Sequence, residues 1–231
     1  MNLAIYLRDH LTDPAPLVSR DIFEIGCSIL DLSQNNPKLE ILNTNRVEEF
    51  SNYVESVISD RKVKIAVGGY AENRVIYDKS AVFEGIERRT IHLGVDIWSK
   101  AYTPIYAPLE GKIHSFKNNT AIGDYGPTII LEHDLKKRKF YTLYGHLSED
   151  SINGLNVGRK ISKGEQFAKI GNYPSNGNWP PHLHFQIIND LEGNSGDYPG
   201  VCAASQAEKY LQNCPDPQIM MPFLNKSSII K

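Results

Sequence analysis

Four of the seven histidines, together with one aspartate, fall into three short strings whose residue types suit metal chemistry. The strings are Arg89-Thr90-Ile91-His92-Leu93-Gly94-Val95-Asp96, Tyr144-Gly145-His146-Leu147 and Pro181-His182-Leu183-His184-Phe185. Imidazole and carboxylate suit Zn²⁺, and a catalytic zinc keeps three protein ligands and an open fourth position. On a strand, His182 and His184 share one face, with Cα atoms roughly 7 Å apart. One of them can bind a metal while the other faces whatever approaches it. Gln186 follows on the same face, and Leu183 and Phe185 turn to the core. His92 and Asp96 also share a face, but on a straight strand their Cα atoms would stand about 13 Å apart. Two ligands of one zinc need donor atoms within roughly 3–4 Å. A bend is therefore required, and Gly94 sits midway, where a kink costs least. In residues 140–147, alternation puts Thr142, Tyr144 and His146 on one face, with His146 at the strand end leaning into a groove. A lone histidine near a strand is more often structural. Three strings, each beside a Gly or Pro that shapes the backbone, point to a metal site.

The elements that must position these side chains are partly legible. Leu3, Tyr6, Leu7, His10 and Leu11 have helical spacing within residues 1–13, and Asp13-Pro14-Ala15-Pro16 ends that helix. A clearer helix runs over 46–59, where Val47, Phe50, Tyr53, Val54, Val57 and Ile58 form one stripe and Asn45 with Glu48 resembles a capping box. Residues 62–67 alternate as a half-buried strand that Gly68-Gly69 stops. Residues 22–32 show no clean period. From about residue 85, β-rich runs recur at 104–107, 111–116, 127–133, 139–147, 158–162, 166–170 and 183–188, separated by turn signals. That spacing predicts antiparallel sheets, in a sandwich or open barrel. The basic run 136–139 reads as a solvated hairpin tip. The expected organisation is a small α/β extension over 1–84, a β domain over 85–190 and a tail over 191–231 with one helical stretch near 204–212.

Composition sets the outer bounds. The 231 residues are 41% hydrophobic and suffice for one large or two small domains. The formal charge is −2 from 25 Lys+Arg and 27 Asp+Glu, which argues against nucleic acid or an anionic membrane as partner. No apolar run approaches the ~18–20 residues of a membrane span. The N-terminal stretch lacks a basic n-region, and Arg8 and Asp9 interrupt it, so it does not read as a signal peptide and a cytoplasmic location is expected. Three cysteines, Cys27, Cys202 and Cys214, are too few for a disulfide scaffold, and reduced thiols are expected over a Cys202–Cys214 bridge. His10, His114 and His133 read as structural. Arg74, Arg88 and Arg89 flank the first string; surface or salt-bridge roles are the default, and a clamp on a substrate carboxylate is the alternative. There is no Gly-x-Ser-x-Gly elbow, Walker A loop or dinucleotide fingerprint.

The order His92-x-x-x-Asp96, Tyr144-Gly145-His146-Leu147 and His182-Leu183-His184-Phe185 resembles the lysostaphin/LytM-type zinc metallopeptidases. Accessory segments match too, among them Thr103-Pro104-Ile105-Tyr106-Ala107-Pro108, Gly111-Lys112-Ile113 and Lys163-Gly164-Glu165. The resemblance implies a mainly β fold of antiparallel sheets forming a groove. It implies one Zn²⁺ on His92, Asp96 and His184, with His146 and His182 as catalytic histidines. It further implies a hydrolase cutting a peptide amide, by family default in peptidoglycan crosslinks or stem peptides. Two alternatives stand beside it: a cytoplasmic zinc amidase or peptidase for a soluble substrate, and a non-catalytic zinc-binding module. Departures occur at Tyr102, where the family usually has glycine, and at Asn176-Gly177-Asn178-Trp179-Pro180-Pro181, where its turn is usually small; Trp179 is expected either to narrow the cleft or to pack under the loop.

Overall fold

The computed structural model describes residues 2–19, 21–22, 25–79, 87–222 and 229–230. Its helices are α1 (Leu3–His10), α2 (Lys38–Ile41), α3 (Val47–Asp60) and α4 (Ala207–Asn213). Its strands are β1 (Cys27–Leu30), β2 (Ile65–Gly68), β3 (Arg89–His92), β4 (Val95–Trp98), β5 (Pro104–Tyr106), β6 (Gly111–Asn119), β7 (Gly126–Leu135), β8 (Arg138–Gly145), β9 (Lys160–Ile161), β10 (Gln166–Lys169), β11 (His182–Ile188), β12 (Val201–Ala203) and β13 (Ile229–Ile230). The protein is mainly β.

One nine-stranded sheet runs β13-β1-β2-β4-β11-β8-β7-β6-β9. From β2 to β9 every neighbour is antiparallel. The hairpin β7–β8 turns at Lys136 and Lys137, as the basic tip predicts. At the other edge β13, β1 and β2 are parallel. β1 and β2 are joined through α2 and α3, since parallel neighbours need a long crossover. The α/β extension therefore continues the sheet, with β2 hydrogen-bonded to β4. Two small ladders, β5–β10 and β3–β12, complete the β structure.

Strand alternation divides the sheet into two faces. Val67, Val95, Ile97, Leu183, Phe185 and Tyr144 turn to the main core, which Leu3 and Leu7 of α1 join. On the opposite face, Phe50 and Val54 of α3 pack with Ala66, Trp98, Tyr77 and Trp179. Further along that face, Leu93, Tyr125, Ile130, Leu143 and Ile188 pack under the partly buried Tyr210 and Leu211 of α4. Between these two clusters the same face carries Asp96, His182, His184 and Gln186.

Three local expectations change. Residues 22–32, without a period, contain β1; a four-residue strand with parallel partners on both sides has no hairpin signal to reveal it. β2 is buried on both faces rather than half-buried, because α3 covers one face and the main core the other. The capping box on Asn45 does not form. α3 starts from Arg46, which makes no side-chain cap and spends its guanidinium on Glu49 at 2.8 Å.

Candidate metal centre

β4 and β11 pair in a register that sets His184 opposite Asp96 and His182 opposite Trp98. The chain bends at Leu93-Gly94, between the end of β3 at His92 and the start of β4. The bend brings His92 Nε2 to 3.3 Å from Asp96 Oδ1. Gly94 is required by close approach: a Cβ there would lie 2.7 Å from the His184 ring and from the Phe185 carbonyl oxygen. His184 Nδ1 stands 3.0 Å from His92 Nε2 and 3.1 Å from Asp96 Oδ1. All three residues are buried.

The hydrogen bonds fix what these atoms offer. His92 Nδ1 lies 2.8 Å from the Gly69 carbonyl, which only accepts, so Nδ1 carries the proton and Nε2 the lone pair. Gln186 donates its amide to the Pro199 carbonyl and to Cys214 Sγ, so its Oε1 faces His184 Nε2 at 2.9 Å. That oxygen accepts a hydrogen bond from Nε2–H, which leaves the lone pair on His184 Nδ1. Asp96 gives its other oxygen, Oδ2, to Arg74 Nη1 at 2.5 Å. Three lone-pair atoms thus converge with no proton between them. Their 3.0–3.3 Å separations match adjacent donors of a tetrahedral ion bonded at about 2.0–2.2 Å. The cluster fits a metal site.

Burial drives His92 down to about 4, with the Arg74 charge adding to it, so it is neutral near pH 7. Burial alone would raise Asp96, but His92 and Arg74 hold it well below the ordinary carboxylate range. Arg74 is 1% exposed and also binds Glu72 at 2.7 Å and the Tyr77 hydroxyl at 3.0 Å. Of the surface or salt-bridge default for Arg74, the salt-bridge role holds and the surface position does not. No local pattern in the sequence reveals this, because its partner Asp96 lies 22 residues on, in β4.

His146 and His182 stand beside the cluster with ring centroids 4.1 Å apart. The simple alternation that puts His146 with Tyr144 would send it to the core, since Tyr144 pairs with Phe185 there. β8 instead ends at Gly145, and His146 adopts a left-handed backbone (φ 58°) that throws its ring back over the site. His146 Nδ1 donates to the Asn176 carbonyl at 2.8 Å and His182 Nδ1 to the Pro180 carbonyl at 2.7 Å. Each keeps its lone pair on Nε2. Burial, reinforced by the neighbouring His182, pulls His146 well below the ordinary imidazole value, and burial brings His182 to about 4. Trp98 stacks on the His182 ring at 4.0 Å.

Tyr125, which sequence reasoning passes over as a turn residue, places its hydroxyl 3.4 Å from His184 Nε2 and its carbonyl on the His146 backbone N–H. Trp179 is packed down, 8% exposed and edge-on to Tyr77 at 6.1 Å, and it also lines the cleft. The cleft, about 320 Å³, runs over Asp96, His146, His182 and His184. Among the described residues before Arg89, only Arg74, Ile76 and Tyr77 line it. His10 stacks on Tyr6 in α1, His114 bonds Ser115, and His133 bonds the Glu110 carbonyl and Thr142. None of these three joins the cluster. Cys27, Cys202 and Cys214 are buried free thiols.

Residues 90–196 match peptidase family M23. That segment is similar to M23 peptidase domains. Solved structures similar to the chain include a zinc-containing peptidase from Vibrio cholerae, at 27% identity over 43% of this chain and 28% of that one, with a TM-score of 0.35. The catalytic domain of the antimicrobial peptidase lysostaphin from Staphylococcus simulans is 26% identical over 58% of this chain and 80% of that one, with a TM-score of 0.37. The prophage-encoded M23 protein EnpA of Enterococcus faecalis, as a point mutant of its catalytic domain, is 20% identical over 52% of this chain and 82% of that one, with a TM-score of 0.36. The chain thus spans little more than a quarter of the Vibrio cholerae protein's length. A search of curated proteins gave no match. No helix among the described residues is long and apolar enough to cross a membrane.

Proposed function

We propose that the chain is a zinc-dependent peptidase that hydrolyses a peptide amide bond, with His92 Nε2, Asp96 Oδ1 and His184 Nδ1 as the zinc ligands. The observation that carries this reading is the triangle of three lone pairs 3.0–3.3 Å apart within an M23 segment. Bound there, zinc supplies a water acidic enough to lose its proton near neutral pH and a Lewis acid for the scissile carbonyl.

The protein's own part falls to His146 and His182. Both are neutral, with Nδ1–H anchored on backbone carbonyls and Nε2 bare. An Nε2 that takes a proton becomes a donor, able to hold the oxyanion that develops on the carbonyl and to pass the proton to the departing amine. Their lowered basicity keeps them bare at rest and makes the imidazolium a strong acid once formed. The backbone anchors hold both rings in place, so little reorganisation is needed. The segment holds no His-Glu-x-x-His string, so these imidazoles take the proton-moving role.

Peptidoglycan stem or crosslink peptides are the first substrates to test, with soluble peptides second. The three free thiols suit a reducing, cytoplasmic setting. Purified protein, its His184→Ala variant and its His146→Ala variant are compared for bound zinc and for products released from sacculi and soluble peptides, read by mass spectrometry. His184→Ala is expected to lose both zinc and hydrolysis. His146→Ala is expected to keep one zinc and lose roughly 10²–10⁴-fold in rate. Zinc loss in His146→Ala would reassign it as a ligand. Hydrolysis of neither substrate class by the zinc-loaded wild type would leave a metal-binding module.

A further inference from the structure

His184 can carry its proton in two ways, and only one leaves a place for the metal. With the proton on Nε2, the lone pair of Nδ1 joins the triangle. With the proton on Nδ1, the same atom donates to Asp96 Oδ1 at 3.1 Å and faces His92 Nε2 at 3.0 Å. That second state closes the cluster on itself through a charge-assisted hydrogen bond and needs no ion. In an imidazole, the bond made by one nitrogen sets the state of the other. The groups behind Nε2 therefore choose between the two states. Gln186 Oε1 stands there at 2.9 Å and the Tyr125 hydroxyl at 3.4 Å. A hydroxyl can donate or accept, so Tyr125 favours neither state. The Gln186 amide has one acceptor end and one donor end, and its orientation selects the tautomer.

Gln186 is fully buried. Its amide hydrogens go to the Pro199 carbonyl at 3.1 Å and to Cys214 Sγ at 3.2 Å. Turning the amide over would set its oxygen against a carbonyl, which only accepts, and a thiol, which donates weakly. Cys214 is itself held in place at the C-cap of α4. Its N–H donates to the Tyr210 carbonyl at 2.7 Å, and its carbonyl accepts from the Tyr70 hydroxyl at 2.6 Å. Burial pushes its thiol up to about 12, so it stays protonated and inert. We propose that Cys214 is a positioning residue for the metal centre: its sulfur, with the Pro199 carbonyl, holds Gln186 in the orientation that keeps His184 Nδ1 open to zinc. A residue outside the matched segment 90–196 thus sets the tautomer of a ligand inside it. This inference rests on the zinc ligation proposed above and not on turnover.

The test reads the histidine tautomer and the zinc affinity of the full chain. A long-range proton–nitrogen NMR spectrum of the metal-free protein is expected to show His184 protonated at Nε2. Cys214→Ala is expected to move part of the population to the Nδ1–H state. It should also weaken zinc binding about 10-fold, measured by competition with a chelating dye. Gln186→Leu, which removes the acceptor itself, is expected to weaken zinc binding about 100-fold. Cys214→Ser restores an acceptor and should recover most of both losses, whereas Cys214→Val fills the space without one and should not. The serine and valine variants carry the test if Cys214→Ala does not fold. A metal-free wild type with His184 protonated at Nδ1 overturns the proposal, as do an unchanged tautomer and zinc affinity in Cys214→Ala. Equal recovery by valine and serine also overturns it, by assigning the effect to packing. A wild type that holds the Nε2 proton yet binds no zinc keeps the tautomer lock and loses the metal reading. One that binds zinc and cuts no peptide loses only the peptidase reading.

Discussion

His92, Asp96, His146, His182 and His184 all lie inside the M23 segment, as do the Asn176 and Pro180 carbonyls that anchor His146 and His182, whereas the partners that fix the ligand cluster come largely from outside it. Gly69, which fixes the tautomer of His92, and Arg74, which holds Asp96, precede residue 90. Pro199 and Cys214, which fix Gln186 against His184, follow residue 196. The three converging ligand atoms are placed by strand register within the segment, and the flanks help to fix their direction. Partners of this kind tune metal affinity and ligand geometry. The flanks are thus part of the site rather than appendages to it.

The hardest blow to this contrast is expected where α3 packs on Trp98 and Trp179. Phe50→Ala empties the space against Trp98 and Trp179 and should cost about 3–5 kcal/mol of stability, measured by urea denaturation. A loss under about 1 kcal/mol, well short of a buried-aromatic cavity, would mean that the flanking helix leans on the domain without bracing it.

His133 gives an internal control, a buried histidine inside the segment that does not join the cluster. Burial lowers it from the ordinary 6.5 to about 4. The unfolded chain therefore takes up this proton first as pH falls. The stability it contributes is whole above about pH 6.5 and is lost between there and about 4, on the order of 3 kcal/mol. His133→Gln should flatten the fall of Tm across that window relative to wild type. An unchanged slope would assign the acid sensitivity to other groups.

Arg74→Gln should give the smallest of the three effects, lowering zinc affinity about 10–100-fold. It also frees Asp96 Oδ2, so the visible spectrum of the cobalt-substituted protein should lose intensity as Asp96 chelates through both oxygens. Unchanged affinity together with an unchanged spectrum would return the orientation of Asp96 to the segment itself. Arg74→Lys, which keeps the charge without the fork of the guanidinium, should recover part of the affinity.

What could be read beforehand follows the range of the interactions. The long antiparallel strands were legible because alternation and turns are local, and the metal triad because its residue types and spacing recur in a known order. β1 was not, because its evidence is a register with strands far along the chain. The bend at Gly94 followed from distance alone. The flip at His146 did not, since nothing in Gly145-His146-Leu147 announces a left-handed backbone. Arg74 stood in view with the carboxylate-clamp reading beside the default. Only the folded structure shows that the carboxylate it holds is that of Asp96.

The two outermost strands of the large sheet, β9 and β13, are two residues each. A long, flat, unpaired edge is the usual template for adding a foreign strand. Next to β9 the outer edge of β6 is occupied as well: Ile113 exchanges backbone hydrogen bonds with Gly158 and Arg159, and Gly196 donates to Ser115 Oγ. A register shift between Ile113 and Ser115 breaks the edge further. A nine-stranded sheet of this apolar content is thereby poorly suited to growing by strand addition, which protects the protein against fibrous self-association and leaves its helices and loops as the surfaces on which any assembly must be built.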